Sequence, residues 1–219
     1  MTVVLNAPRD IDPADSRVGL TEALREVMAR LADSSASSDA FAEARDLVAR
    51  AAQVLSAEPG GRGYEWAEAS VAEPGVASFL DFSPLVGALN PLAPPMAVRI
   101  EDDCVVGEVV FGRPYEGPPG CVHGGFIAAA FDEVLGFAQQ LSGHSGMTGR
   151  LSVSYRSPTP LGERVSFRAG LDRVEGRKIF VTATLHHGST LCAEAEGLFI
   201  SMSNDMFARL IRRRDPSEH

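Results

Sequence analysis

The 219-residue chain has few cysteines and no arrangement of them that would support a disulfide bridge or a metal centre. Cys104, Cys121 and Cys192 are an odd number without metal-ligand spacing, so we expect a reducing compartment and no disulfide framework. No apolar run approaches the length of about 20 residues that spans a bilayer. The first ten residues carry no basic region of the kind that opens a secretory signal. The chain is therefore expected to be cytoplasmic, without membrane insertion.

Positive charge is also scarce, because 20 Lys and Arg face 29 Asp and Glu, for a net charge of −9. Nucleic-acid binding needs a basic footprint, so we expect no nucleic-acid partner. A local basic pocket for a small anion stays compatible with this balance. No phosphate loop, dinucleotide fingerprint or serine-centred nucleophile elbow is present. We expect neither a cofactor nor a bound metal.

Residues 121–132 combine two adjacent glycines with an apolar helix that carries a carboxylate. Gly124 and Gly125 stand at the predicted helix start, where backbone N–H groups lack intrahelical partners and can bind a ligand oxygen. A carboxylate among apolar side chains is costly unless something uses it, which makes Asp132 a candidate general base. Glu133 is the rival, placed second because the neighbouring glutamines indicate a more exposed edge. Together these features predict an enzyme with an oxyanion site and a base.

The spacing of the two groups has a consequence for assembly. Gly125 and Asp132 are seven residues apart, so they share a helix face but lie about 10 Å apart along the axis. One carbonyl cannot contact both the helix start and a water held by the same helix. We therefore predict a composite site between two subunits, and hence at least a homodimer.

The surrounding pattern predicts an α+β fold. Two amphipathic helices open the chain, and an antiparallel sheet wraps around one central helix, predicted from about 122 to 141. The predicted strands are 97–101, 104–111, 148–156, 164–174, 179–187 and 190–202. A Pro-rich apolar segment over 79–96 is expected to lie extended over the core. We divide the chain into a helical extension with a linker (1–75), the main domain (76–204) and a basic tail (205–219).

Several motifs, in order, resemble a known family. The His123-Gly124-Gly125 triplet is followed by a helical Asp132 and then by the run from Thr148 to Gly162. Asp172–Lys178 and Ser83–Pro95 add to the similarity. This set resembles the hotdog-fold thioesterases of the PaaI/THEM4-like group, over about 79–202. The opening helices lie outside the resemblance.

The resemblance implies hydrolysis of an acyl-CoA thioester by a homodimer or a dimer of dimers. Asp132 would act as general base or nucleophile, the amides of Gly124 and Gly125 would polarise the thioester carbonyl, and Thr148 would help to position water. His123 belongs to the same catalytic set, and we expect it to hydrogen-bond the loop and shape the helix start.

The predicted substrate-binding residues lie on the strands. Arg156, Arg177 and Lys178 match positions where family members contact coenzyme A phosphates, and we add Ser154 to this set. Two other functions stay open: a non-catalytic module that binds acyl-CoA or an acyl carrier, and a hotdog hydratase or dehydratase. The latter needs a catalytic histidine, for which His123 is the only candidate. A nucleophilic Cys121 is disfavoured, since no third group orients such a pair.

Overall fold

A computed structural model describes residues 15–57, 79–144 and 146–202. It confirms the predicted α+β architecture, because six antiparallel strands form one sheet around a central helix. The strands are β1 (Ala97–Glu101), β2 (Cys104–Val110), β3 (Gly146–Tyr155), β4 (Arg164–Glu175), β5 (Lys178–His187) and β6 (Thr190–Ser201). The helices are α1 (Ser16–Asp33), α2 (Ser38–Ser56) and α3 (Gly124–Ala138), with 3-10 turns at Phe79–Phe82, Arg113–Tyr115 and Gln139–Ser142.

The sheet order is β1-β2-β4-β5-β6-β3, which places β3 at an edge. Side chains alternate between the two faces of each strand, as on β5, where Ile179, Val181 and Leu185 are buried. The edge strand β3 pairs only with β6 within the described residues. One long row of its backbone N–H and C=O groups is thus open to a further strand.

Helix α3 packs against the sheet through its buried side chains. Phe131, Val134 and Leu135 are fully buried, and the Phe131 ring meets Phe167 of β4 edge-on at 5.1 Å between centroids. A helix that is apolar nearly all round belongs in such a position. The regular helix is shorter than predicted, since it ends at Ala138 and continues as a 3-10 turn.

The Pro-rich segment packs on the core, but as consecutive turns rather than in the extended form that we expected. Leu85, Val86 and Met96 are buried. Ser83 supports the turn, because its Oγ accepts hydrogen bonds from two backbone amides that follow it, at 3.2 and 3.3 Å. Because the prolines keep this segment out of regular helix or sheet, these amides lack ladder partners, and the side-chain oxygen accepts from them instead.

The two N-terminal helices differ in how they are held. Arg25 of α1 donates to the carbonyls of Gly87 at 2.9 Å and Asn90 at 2.8 Å, which docks α1 on the domain. Helix α2 has no buried residue, and its apolar side chains stay exposed. Its N-cap is Ser37, because the Ser37 Oγ accepts a hydrogen bond from the Ala40 N–H.

None of the helices in the described part of the chain is long and apolar enough to cross a bilayer. Residues 58–75, which include the predicted linker, and the predicted basic tail over 205–219 lie outside the described residues, so the division into domains stays a prediction.

Candidate active site

The start of α3 offers one amide without a partner. His123 is the N-cap, and its Nδ1 accepts a hydrogen bond from the Gly125 N–H at 3.0 Å. The His123 carbonyl accepts from the N–H groups of Phe126 and Ile127. Among the described residues, nothing accepts from the Gly124 N–H. The structure therefore distinguishes the two glycines that the sequence had treated alike.

The loop before α3 is fixed by backbone hydrogen bonds. The His123 N–H donates to the Tyr115 carbonyl at 2.9 Å, and the Val122 N–H donates to the Thr159 carbonyl at 3.0 Å. Gly117 lies so close that a Cβ there would be 2.7 Å from the His123 Cα. Such close packing holds the Gly124 N–H at the positive end of the helix dipole in one orientation.

Tyr155, at the end of β3, contacts the start of α3. Its hydroxyl donates to the Gly124 carbonyl at 2.7 Å. A Cβ on residue 124 would lie 3.2 Å from the same hydroxyl, so the ring's proximity favours glycine there. Sequence reasoning missed this contact, because Tyr155 entered it only as one residue of the run from Thr148 to Gly162.

Asp132 is half-buried rather than enclosed, and it faces the edge strand. Thr148 Oγ1 donates to Asp132 Oδ1 at 2.8 Å. A β-bulge at Gly149 makes this possible. Thr148 pairs with the buried Phe199, on the same face as Leu151, although a strict period of two would turn Thr148 outward.

The position of Glu133 differs from our prediction. We expected it on the exposed side, but the neighbouring Gln139 is buried, and Glu133 packs under the Pro-rich segment, where Ser83 Oγ donates to its Oε1 at 3.0 Å. Burial raises the pKa of the Glu133 carboxyl, only partly offset by the Ser83 bond, and the nearby Asp132 charge adds to the rise. Glu133 thus belongs to the packing between helix and turns.

The predicted substrate-binding residues do not form one cluster in a single chain. Arg156 pairs with Glu194, its Nε donating at 3.0 Å, next to the Tyr155 end of β3. Arg177, on the β4–β5 turn, donates to the Ser201 carbonyl at 3.1 Å, near the opposite end, and Lys178 follows it. The ten residues of β3 separate the two ends by about 30 Å.

Ser154 faces away from α3, on the outer side of the sheet. With Ser152 it lines a polar groove of about 550 Å³, which also contains Arg168, Thr182 and Glu194. In the described residues, no three His, Cys, Asp or Glu side chains cluster in a way that could hold a metal ion.

A thioester needs a donor at its carbonyl oxygen and a base for water. The Gly124 N–H and the Asp132–Thr148 pair have these properties, but they lie near opposite ends of β3. One protomer therefore presents two half-sites along its open edge.

Comparison with known proteins gives consistent matches. Residues 119–194 match the family model described as Thioesterase superfamily. Acyl-coenzyme A thioesterase THEM4 of Xenopus laevis is 40% identical over 92 residues, which cover 41% of this chain and 41% of that protein. Acyl-coenzyme A thioesterase THEM5 of Homo sapiens is 30% identical over 93 residues, 42% of this chain and 38% of that protein. The chain thus spans about two fifths of the length of these curated relatives.

A solved structure matches over a larger part of the chain. The crystal structure of a thioesterase superfamily protein superposes with a TM-score of 0.74 and 32% identity. The superposition covers 90% of this chain and 98% of the other, so it extends beyond the matched family segment.

Proposed function

The chain belongs to the thioesterase superfamily, and from that premise we propose that it hydrolyses an acyl-CoA thioester to a free acid and coenzyme A. The main observation in support of this proposal is the hydrogen bond from Thr148 Oγ1 to Asp132 Oδ1. It fixes one carboxylate oxygen, while the other accepts no hydrogen bond from the described residues and can take a proton from water. The similarity to acyl-coenzyme A thioesterases supports the substrate class.

The chemistry that we propose is a water attack with Asp132 as general base. Asp132 takes a proton from water while the water oxygen bonds to the thioester carbon, and the resulting oxyanion accepts from the Gly124 N–H. Collapse of this intermediate breaks the C–S bond, and the coenzyme A thiolate takes the proton back from Asp132. No cofactor is needed for this sequence of steps.

The site is proposed to form between two protomers. Antiparallel pairing of two β3 edges would bring the Tyr155 end of one protomer to the Thr148 end of its partner. The Gly124 N–H of one chain would then face Asp132 of the other. The open β3 edge and its exposed Met147 and Tyr155, 54% and 52% accessible, support this pairing.

The same pairing accounts for the separated basic residues. Arg156 of one protomer would approach Arg177 and Lys178 of its partner at each end of the shared edge. A cluster of this kind suits the phosphates of coenzyme A, even on a chain with a net charge of −9.

The test of the oxyanion donor compares Gly124→Pro with Gly124→Ala. Proline is well tolerated at the first helical position, and its ring Cδ replaces the amide hydrogen. His123 already has the extended backbone that a following proline requires, at φ −63° and ψ 130°. Alanine adds the same Cβ beside Tyr155 but keeps the donor. We expect Gly124→Pro to release thiol from acyl-CoA about 10²–10³-fold more slowly than Gly124→Ala.

Mixing two inactive variants tests the shared site. Asp132→Asn and Gly124→Pro each disable every site in their own homodimers. A mixed dimer has one intact site if the site is shared, so random reassociation should restore roughly a quarter of wild-type activity. No recovery of activity in verified mixed dimers would contradict the shared site.

Two other outcomes would indicate the alternative functions. Binding of acyl-CoA without thiol release would indicate a binding module, and hydration of an enoyl-CoA without thiol release would indicate a hydratase.

A further inference from the structure

Two side chains hold opposite ends of one peptide unit at the start of α3. The Gly124 carbonyl and the Gly125 N–H belong to the same peptide group. Tyr155 donates to that carbonyl at 2.7 Å, and the N–H donates to His123 Nδ1 at 3.0 Å. The hydrogen bonds therefore run in one direction, from the Tyr155 hydroxyl through the peptide to the imidazole.

This direction determines where the proton sits on the neutral imidazole. A ring nitrogen that accepts a hydrogen bond carries no proton, so neutral His123 must carry its proton on Nε2. His123 is exposed, and in the described part of the chain its Nε2 has no partner. The ring thus presents an unused N–H donor beside the unpartnered Gly124 N–H.

We propose that Tyr155 is a positioning residue which, through the Gly124–Gly125 peptide, holds His123 as the Nε2–H tautomer and so makes it a second donor to the substrate carbonyl. A hydrogen bond donated to a peptide oxygen polarises the N–H of the same peptide, strengthening its bond to the next acceptor. The Tyr155 hydroxyl therefore strengthens the bond that sets the tautomer.

The parts of this relay are held by separate contacts. Tyr155 pairs with Ala193 at the end of β3, and the next two backbone N–H groups donate to the Cys192 carbonyl at 2.8 and 3.0 Å. The His123 N–H donates to the Tyr115 carbonyl. The strand end and the loop are thus anchored independently, which leaves the peptide unit as the link between the two side chains.

The proposal rests on the proposed thioesterase function only for the role of the second donor, because the tautomer is a property of the free protein. The first test is therefore made without substrate. Imidazole ¹⁵N NMR of the full chain should show His123 protonated on Nε2. In Tyr155→Phe the two nitrogen resonances should move together, as the tautomers mix. Tyr115→Phe is the matched control, since the Tyr115 hydroxyl donates at 2.8 Å to a different carbonyl, that of Leu92.

The second test is kinetic and separates donation from capping. Asparagine and serine both cap helices well. The asparagine amide also presents N–H donors at the end of a longer side chain, whereas the serine hydroxyl lies one bond from Cβ and does not reach as far as the imidazole Nε2. We expect His123→Ser to lower kcat for acyl-CoA hydrolysis by about 10²-fold relative to wild type. At equal thermal stability, His123→Asn should have a kcat about tenfold higher than that of His123→Ser. Tyr155→Phe should lower kcat about two- to eightfold with less change in KM, from a 10–30% weakening of the polarised bond.

The outcomes are distinct. A wild-type His123 protonated on Nδ1, or ¹⁵N shifts that Tyr155→Phe leaves unchanged, would overturn the relay. Equal kcat values for His123→Asn and His123→Ser would overturn the second donor. If wild type released no thiol from acetyl-, octanoyl- or palmitoyl-CoA, the proposed function would fail, while the NMR result would still decide the tautomer.

Discussion

Replacing Thr148 by valine removes one hydrogen bond while nearly preserving side-chain shape, so it isolates what that bond does for Asp132. Thr148 Oγ1 lies 2.8 Å from Asp132 Oδ1. A hydrogen bond to a charged group contributes about 1.5–3 kcal/mol. If the whole contribution serves to orient the base during water attack, kcat should fall by about 10- to 150-fold, since each 1.4 kcal/mol is a factor of ten.

The same change should have little effect on stability. Thr148 is exposed and Asp132 half-buried, so water can replace the lost bond in the variant. We expect the free energy of unfolding to change by about 0.5 kcal/mol or less. The prediction is thus a large kinetic effect with a small thermodynamic one.

Two measurements check this prediction. Thiol release from acyl-CoA, followed with a thiol-reactive chromophore, gives kcat, and urea unfolding gives stability. Thr148→Ser is the control, because it keeps the hydroxyl and should retain most of the activity. A kcat of Thr148→Val within about threefold of wild type, or equal losses in Thr148→Ser and Thr148→Val, would contradict this role of the hydroxyl.

Three further predictions concern stability, each measured by urea unfolding. The raised pKa of Glu133 means that the folded state holds its proton longer than the unfolded state, so wild-type stability falls as pH rises above the unfolded value of about 4.3, by up to about 1.4 kcal/mol per unit. Glu133→Gln should lack this component, and an unchanged pH slope would contradict it. Arg25→Met leaves three partly buried carbonyls in 87–90 without their donor and should cost about 2–3 kcal/mol, whereas the exposed Arg30→Met should cost about 0.5 kcal/mol or less. Phe131→Ala leaves a cavity at a fully buried position and should lower the free energy of unfolding by about 3–5 kcal/mol.

Most of the fold could be predicted because its signals are local. Alternating side chains and glycine turns set the strand ends to within two residues, and the turn residues Gly176 and Gly188 adopt φ of 58° and 56°. The order of the strands could not be predicted in this way. That β3 lies outside β6, at an edge, depends on pairing between residues far apart in the chain.

The site could be predicted in part for the same reason. The glycine pair and Asp132 stand out within one short stretch, and the resemblance added Thr148. The bonds that define the site's geometry are long-range: Tyr155 reaches back 31 residues to Gly124, and Ser83 reaches Glu133 across 50. Tyr155 and Ser83 both lie in runs that carry the resemblance, but no local pattern indicates which residues they contact.

The charges around β3 connect the half-sites with the assembly. Most arginines on or next to the strands already pair with carboxylates, as Arg156 does with Glu194 and Arg173 with Asp172. Within the described residues, Arg177 and Lys178 contact no carboxylate. Because unpaired cations keep their full attraction for phosphate, the β4–β5 turn should supply most of the anion binding, and Arg156 should orient rather than attract the ligand. Strong dependence of KM on salt in wild type, weakened by Lys178→Met more than by Arg156→Met, would follow from this arrangement.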